Sequence, residues 1–191
     1  MARRLHADGS VLVVIDTQPG FLDKLSEDEA SAVVDRIRWL CRLADWLPVP
    51  VVITEEEPGR NGETVAPVKE ALPPGTVKHV KPAFDLAACP EILADVVEHD
   101  PEAVVLCGLE TDVCVAQSAL GLADAGMRVA VVEDAVAAAG AAHAQGLARL
   151  TRAGVELIGV KGLGYEWLGT VERANDFANA SERDAPAGIV L

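Results

Sequence analysis

The sequence predicts an α/β protein: one domain built on a doubly wound, six-stranded parallel sheet with helices on both faces. Three observations predict it. Short β-branched runs alternate with stretches of helical apolar period along the chain. The hydrophobic half of the composition is mostly Ala, Val and Leu, with only 4% aromatic residues, as in strands buried on both faces. A length of 191 residues suits a single domain whose sheet is covered on both sides.

Strand β1 is the apolar run at 11–15, which ends in Asp16. Ser26 followed by Glu29 reads as a capping box. After it, Ala30, Val33, Val34, Ile37, Leu40, Cys41, Ala44 and Leu47 recur at helical spacing, and Pro48 and Pro50 end that helix. Strand β2 is 51–54, followed by a loop at 55–64 broken by Pro58, Gly59 and Gly62. A short helix is predicted over 65–72, a turn at 73–75, and β3 at 76–80, with Pro82 forbidding simple continuation of that strand in a sheet interior. A helix follows at 90–99, opened by Pro90. Strand β4 is 103–107, a helix runs 112–125 and stops at Gly126, and β5 is 128–132. A helix at 141–152 and β6 at 155–158 complete the alternation. Residues 166–176 read as a last helix or an irregular segment, and 178–191 as a mobile tail or an arm onto a neighbouring subunit. Right-handed crossovers then put the carboxyl ends of the strands along one edge, where such sheets collect their chemistry.

The formal net charge of −14 argues against nucleic acid and against an anionic membrane surface, both of which are held by clustered Lys and Arg. Its simplest reading is solubility. No secretory leader is visible in the first residues, and no apolar stretch approaches a membrane span. Cys41, Cys89, Cys107 and Cys114 show no C-x-x-C pairing, so zinc and redox motifs have little support and a reduced cytoplasm is the simplest compartment.

Three residues of chemical interest fall at predicted strand ends. Cys114 follows β4. With Thr111 or Asp112 as N-cap it lies in the first turn of the next helix, where the dipole and free N–H groups favour a thiolate and hold an oxyanion. A small buried hydrophobe is the competing reading, of equal weight for Cys114 and the better one for Cys41 and Cys107. Asp16, after β1, reads as a proton acceptor or as a turn-capping carboxylate. Lys81, after β3, reads as the cation that steadies thiolate and carboxylate, or as a surface lysine. Their convergence is what raises the chemical reading above the bland one.

At these residues the chain resembles the isochorismatase-like cysteine hydrolases. Asp16, Gln18 and Phe21 match a D-x-Q-x-x-F opening, Lys81 and Phe84 a K-x-x-F segment, and residues 106–115 the nucleophile segment. Residues 125–129 and 133–135 also fit, so the resemblance spans about 10–170. It implies a Rossmann-like hydrolase fold and a catalytic triad of Asp16, Lys81 and Cys114. It also implies a non-proline cis peptide joining Leu109 to Glu110, with the amides of Glu110 and Cys114 as oxyanion donors. It implies a pocket near Gln18, Phe21 and Phe84, a small-molecule substrate, and a homo-oligomer.

No cofactor or metal is expected. Related amidases carry histidine ligands after β2, where this chain has Thr54, Glu55, Glu56 and Glu57, and His6, His79, His99 and His143 show no ligand spacing. The run 55–57 reads as a solvated acidic loop in preference to a cation site. A metal-free subgroup of the family commonly has Gln at the position of Glu56. The segment 162–168, with Tyr165 and Trp167, reads as an interface, a donated pocket wall or core. Two rivals stand beside the hydrolase. One is a non-catalytic or redox-sensitive binding module on the same fold. The other is a nucleotide-binding Rossmann protein, weakened by the lack of G-x-G-x-x-G after β1.

Overall fold

The computed structural model describes residues 4–189; residues 1–3 and the last two residues of the predicted tail lie outside that range. Six parallel strands form one sheet: β1 Ser10–Ile15, β2 Val51–Glu56, β3 Lys78–Lys81, β4 Ala103–Leu109, β5 Val129–Ala137 and β6 Glu156–Ile158. Their order is β3-β2-β1-β4-β5-β6, so the winding reverses between β1 and β4. That reversal opens the crevice in which doubly wound sheets carry ligands.

Strands β1, β2 and β4 are buried almost throughout, and alternate side chains of β1 and β4 serve two cores. Leu12 and Val14 of β1, with Val105 and Cys107 of β4, face one cluster. Val11, Val13 and Ile15, with Val104 and Leu106, face the other. The first core lies under α2 Glu27–Trp46, which begins at the Ser26–Glu29 capping box that the sequence predicts. The second lies under α5 Pro90–Glu98 and α6 Ala116–Asp124. The remaining helices are α1 Pro19–Leu22, α3 Pro58–Asn61, α4 Ala66–Lys69, α7 Ala141–Arg152, α8 Val160–Leu168 and α9 Val171–Ala180.

The structure moves several predicted boundaries, each for a pairing reason. Strand β2 continues through Glu55 and Glu56 because these residues pair with Val80 and Lys81 of β3. Lys81 is therefore the last residue of its strand and does not follow it. Strand β5 runs on to Ala137, pairing beyond a register shift with Gly108 and Leu109. The predicted helix at 112–125 splits into a π-type turn, Thr111–Val115, and α6.

The last helical segment is two helices, α8 and α9, separated at Gly169. Trp167 is core, its indole N–H donating to Ser10 Oγ at 3.2 Å, whereas Tyr165 is partly exposed. Helix α2 carries a second buried line, Trp39 and Leu43, because α8 and α9 cover it; Trp39 meets Phe177 of α9 edge-on at 5.6 Å. The described part of the tail lies along α2, where Asp184 accepts from Arg38 at 2.6 and 2.9 Å and from Arg42 at 2.6 Å.

Gly108 brings β4 against the end of β1. Its φ is +119°, and a Cβ there would sit 2.0 Å from the Ile15 carbonyl oxygen. Only glycine permits this approach, made where Gly108 pairs with Ile15 at the end of β1 beside the switch point.

Candidate active site

The ends of β1, β2, β3 and β4 bring four side chains together. Asp16 follows β1 with φ 47°, its N–H donating to the Thr54 carbonyl at 3.1 Å. The carboxylate is fully buried. Thr54 donates its hydroxyl to Oδ1 at 2.7 Å, and the Lys81 ammonium lies 3.0 Å from Oδ2. Oδ2 accepts no well-aligned hydrogen bond, which leaves a lone pair available beside the ammonium.

Lys81 is equally buried, and its own loop aims it. Nζ donates to the carbonyls of Ala83 at 2.7 Å and Phe84 at 3.3 Å, and reaches Cys114 Sγ at 3.5 Å. The loop is fastened to α6: Ser118 Oγ donates to the Phe84 carbonyl at 3.2 Å and accepts from the Leu86 amide at 3.1 Å.

Cys114 is the fourth residue of the π-type turn, which opens where the Leu109–Glu110 peptide, a cis bond, leaves β4. The Glu110 carbonyl accepts from the amides of Val113 and Val115. Helix α7 seats against this turn at Gly146, where a Cβ would stand 2.9 Å from the Asp112 backbone. From α7, His143 Nδ1 lies 3.0 Å from Thr111 Oγ1.

The fourth group is Glu56. The Cys114 thiol donates to its Oε2 at 3.1 Å, and that oxygen is 3.8 Å from Lys81 Nζ. The acidic run at 55–57 is therefore not a solvated loop. Glu55 is buried and pins the loop after β2, accepting from the Thr64 amide and hydroxyl at 2.8 Å each and pairing with Lys78 at 3.2 Å. Glu56 covers the sulfur, and Glu57 alone is exposed.

The three residues expected to line a pocket differ in burial and in what they touch. Gln18 is buried and clamps Glu56: its carboxamide donates to the Glu56 and Gly62 carbonyls and accepts from the Glu56 amide at 2.8 Å. Phe21 lies in the α2-side core with Lys24 over its ring. Phe84 exposes its ring and turns its carbonyl inward. Leu109 is buried, and the partly exposed Glu110 carboxylate pairs with Lys24 at 3.1 Å.

The electrostatics correct one expectation. Burial first, and then the negative charge of Asp16, hold the Cys114 thiol well above its ordinary range; Lys81 pulls the other way, and Glu56 raises it further. At rest the sulfur is a protonated donor, not the thiolate that a helix N-terminus alone suggests. Burial also lifts Asp16 above the usual carboxylate value, against the lowering effects of Lys81, Thr54 and Cys114. For Lys81 burial works against the charge, but attraction to Asp16, Cys114 and Glu56 outweighs it and keeps the ammonium.

Cys41 has only burial acting on it, which pushes its thiol up to about 12. Asp16, Glu56 and Cys114 offer ligand atoms within 4.8 Å of one another. The Lys81 ammonium, at 3.0 and 3.8 Å from the carboxylates and 3.5 Å from the sulfur, already supplies the positive charge of that cluster.

Sequence reasoning missed Thr54, Ser118 and the contact of Glu56 with the sulfur. Thr54 and Glu56 alternate along β2 and so share a face, a signal hidden by ending that strand at Thr54.

A family model described as "Isochorismatase domain" matches residues 10–161. The chain belongs to the isochorismatase family.

An isochorismatase domain-containing protein 2 from Danio rerio is 32% identical over 165 residues, covering 84% of this chain and 79% of the relative. A secreted isochorismatase effector from Phytophthora sojae is 35% identical over 137 residues, covering 70% and 64%. Among solved structures, the MAR1 ribonuclease of Caenorhabditis elegans superposes with a TM-score of 0.86 at 26% identity, covering 99% of this chain and 98% of that one. The Escherichia coli YcaC product, described as an octameric hydrolase of unknown specificity, gives 0.83 at 21% identity, covering 96% and 97%, which shows the shared fold. At the coarse level, then, this is an isochorismatase-family hydrolase. Among the described residues no helix is long and apolar enough to cross a membrane.

Proposed function

We propose that this isochorismatase-family chain is a cysteine-dependent hydrolase that cleaves a small-molecule amide, or a related C–N or C–O bond, through a thioester. The observation that carries the reading is the meeting of a buried thiol, a buried carboxylate with an unused lone pair on Oδ2, and a buried ammonium.

Because the thiol is protonated at rest, proton transfer accompanies attack. Asp16 takes the S–H proton while sulfur bonds to the carbonyl carbon and the C=O pair moves to oxygen. The raised affinity of Asp16 for a proton makes it a stronger base than a solvated carboxylate. The amides of Glu110 and Cys114 receive the oxyanion. Collapse breaks the bond to the leaving group, which departs with the proton from Asp16. Water, deprotonated by Asp16, then splits the thioester and returns the thiol. Lys81 offsets the negative charge at each stage.

The test is an acid quench during turnover of a panel of amides and activated esters, followed by intact-mass analysis. An acyl mass on the peptide containing Cys114 is expected, and hydrolysis without any such adduct would refute the covalent route. Activity should fall toward low pH as Asp16 protonates, with a midpoint above the ordinary value of 3.8. Thr54→Val should move that midpoint further up, because the lost hydrogen bond favours the charged carboxylate. A kcat/KM profile over about pH 4–8 reads both.

A redox-sensor reading finds less support. Sensor thiols need thiolate character and exposure, and Cys114 has neither at rest. The net charge of −14 likewise disfavours carrying the nematode neighbour's ribonuclease role to this chain. Self-association and a reducing, cytoplasmic setting belong to the same proposal. The octameric description of the bacterial neighbour and four free, buried cysteines support them.

A further inference from the structure

Glu56 has no part in the chemistry above, yet its carboxylate stands closer to the sulfur than the Lys81 ammonium does, at 3.1 against 3.5 Å. Its backbone is fixed. Gln18 holds both its N–H and its carbonyl, Asn61 Nδ2 also donates to that carbonyl at 2.9 Å, and the residue pairs with Lys81 across β2 and β3. Its side chain is 16% exposed, whereas Cys114 is 1% exposed and Asp16 and Lys81 are fully buried. Of the four groups, Glu56 is the one that both touches the sulfur and keeps part of its side chain in solvent.

A carbon that bonds to Sγ brings its own substituents within hydrogen-bonding reach of an oxygen so placed. An ionised carboxylate accepts hydrogen bonds and cannot donate them. The cluster sets two carboxyl groups against a single ammonium.

We infer that Glu56 is the specificity-determining residue of this site. It admits substrates whose reacting carbon bears an N–H donor, such as primary amides, ureas or amidines, and rejects those with an anionic or purely accepting group there. The inference rests on the hydrolase reading for the identity of the nucleophile, but its test needs no turnover.

The test compares alkylation of Cys114 by iodoacetamide and by iodoacetate, a pair differing in an N–H donor against a carboxylate. Rates are read by intact mass and expressed as a ratio relative to free cysteine. The wild-type ratio should favour iodoacetamide. In Glu56→Gln it should fall by about tenfold or more, since a carboxylate in contact with the reagent is removed. Glu56→Asp keeps the charge and should keep the preference. Glu57→Gln removes an exposed neighbouring charge and should leave the ratio unchanged.

A ratio unmoved in Glu56→Gln, or moved equally in Glu57→Gln, overturns the assignment; an acyl-Cys114 adduct during amide turnover would then still uphold the hydrolase. Absence of any Cys114 adduct with either reagent in all four proteins would overturn this assignment alone, because the acid-quench search for an acyl-Cys114 adduct tests the hydrolase separately.

Discussion

Cys114→Ala is expected to lower kcat by on the order of 10⁴-fold or more, the scale on which loss of a covalent nucleophile acts. The fold should survive. The side chain is small, and because the thiol is neutral at rest its removal leaves the Asp16–Lys81 ion pair intact at 3.0 Å. Thermal or urea denaturation should move by about 1 kcal/mol, the centre of the distribution for single substitutions. Residual hydrolysis would come from binding and the oxyanion donors alone. Steady-state rates on whichever amide the panel selects, beside a denaturation curve, separate lost chemistry from lost structure. A Cys114→Ala protein that turns over within tenfold of wild type would sink the nucleophile assignment.

Lys81→Met should cost both activity and stability. Methionine keeps much of the lysine's length but removes the charge, leaving the Asp16 carboxylate fully buried without its counter-ion. Breaking a buried pair in this way costs about 3–5 kcal/mol. The sign of the pH dependence follows from Asp16. Its folded-state pKa is already raised, chiefly by burial, and losing the ammonium raises it further. A carboxyl group with a raised folded pKa contributes most stability when protonated and loses that contribution as pH rises through the folded value. The deficit of Lys81→Met against wild type should therefore be small in mild acid and widen toward neutral and alkaline pH. Asp16→Asn combined with Lys81→Met should recover much of it, because the uncompensated charge is then gone. Urea titrations at several pH values check this; a deficit independent of pH would show that packing, not charge, is at stake.

What was legible in the sequence, and what was not, follows from the range of the forces involved. The sheet was legible because continuous β-branched runs recur between helical stretches, and the capping box at Ser26 because both of its partners lie within three residues. The positions of Asp16, Lys81 and Cys114 at strand ends were legible for the same reason.

The electrostatic state of the sulfur was not. A helix N-terminus suggests a lowered thiol, but burial and then the charge of Asp16 oppose it, and both arise from tertiary packing that no local pattern encodes. The acidic run at 55–57 read as solvated because three consecutive carboxylates usually are. Strand pairing instead buries Glu55 and brings Glu56 onto the sulfur. The two lines of apolar residues on α2 likewise needed the presence of α8 and α9, which lie more than a hundred residues away.

The lysine is steered by peptide oxygens at positions 83 and 84 while the aromatic ring of Phe84 points outward. Main-chain acceptors persist whatever side chain is attached, so position 84 is insulated from the ammonium it helps to aim. Saturation of that codon is thus a route to altered selectivity that leaves the proton-transfer machinery in register, and this cleft can be retuned at its rim without being rebuilt at its centre.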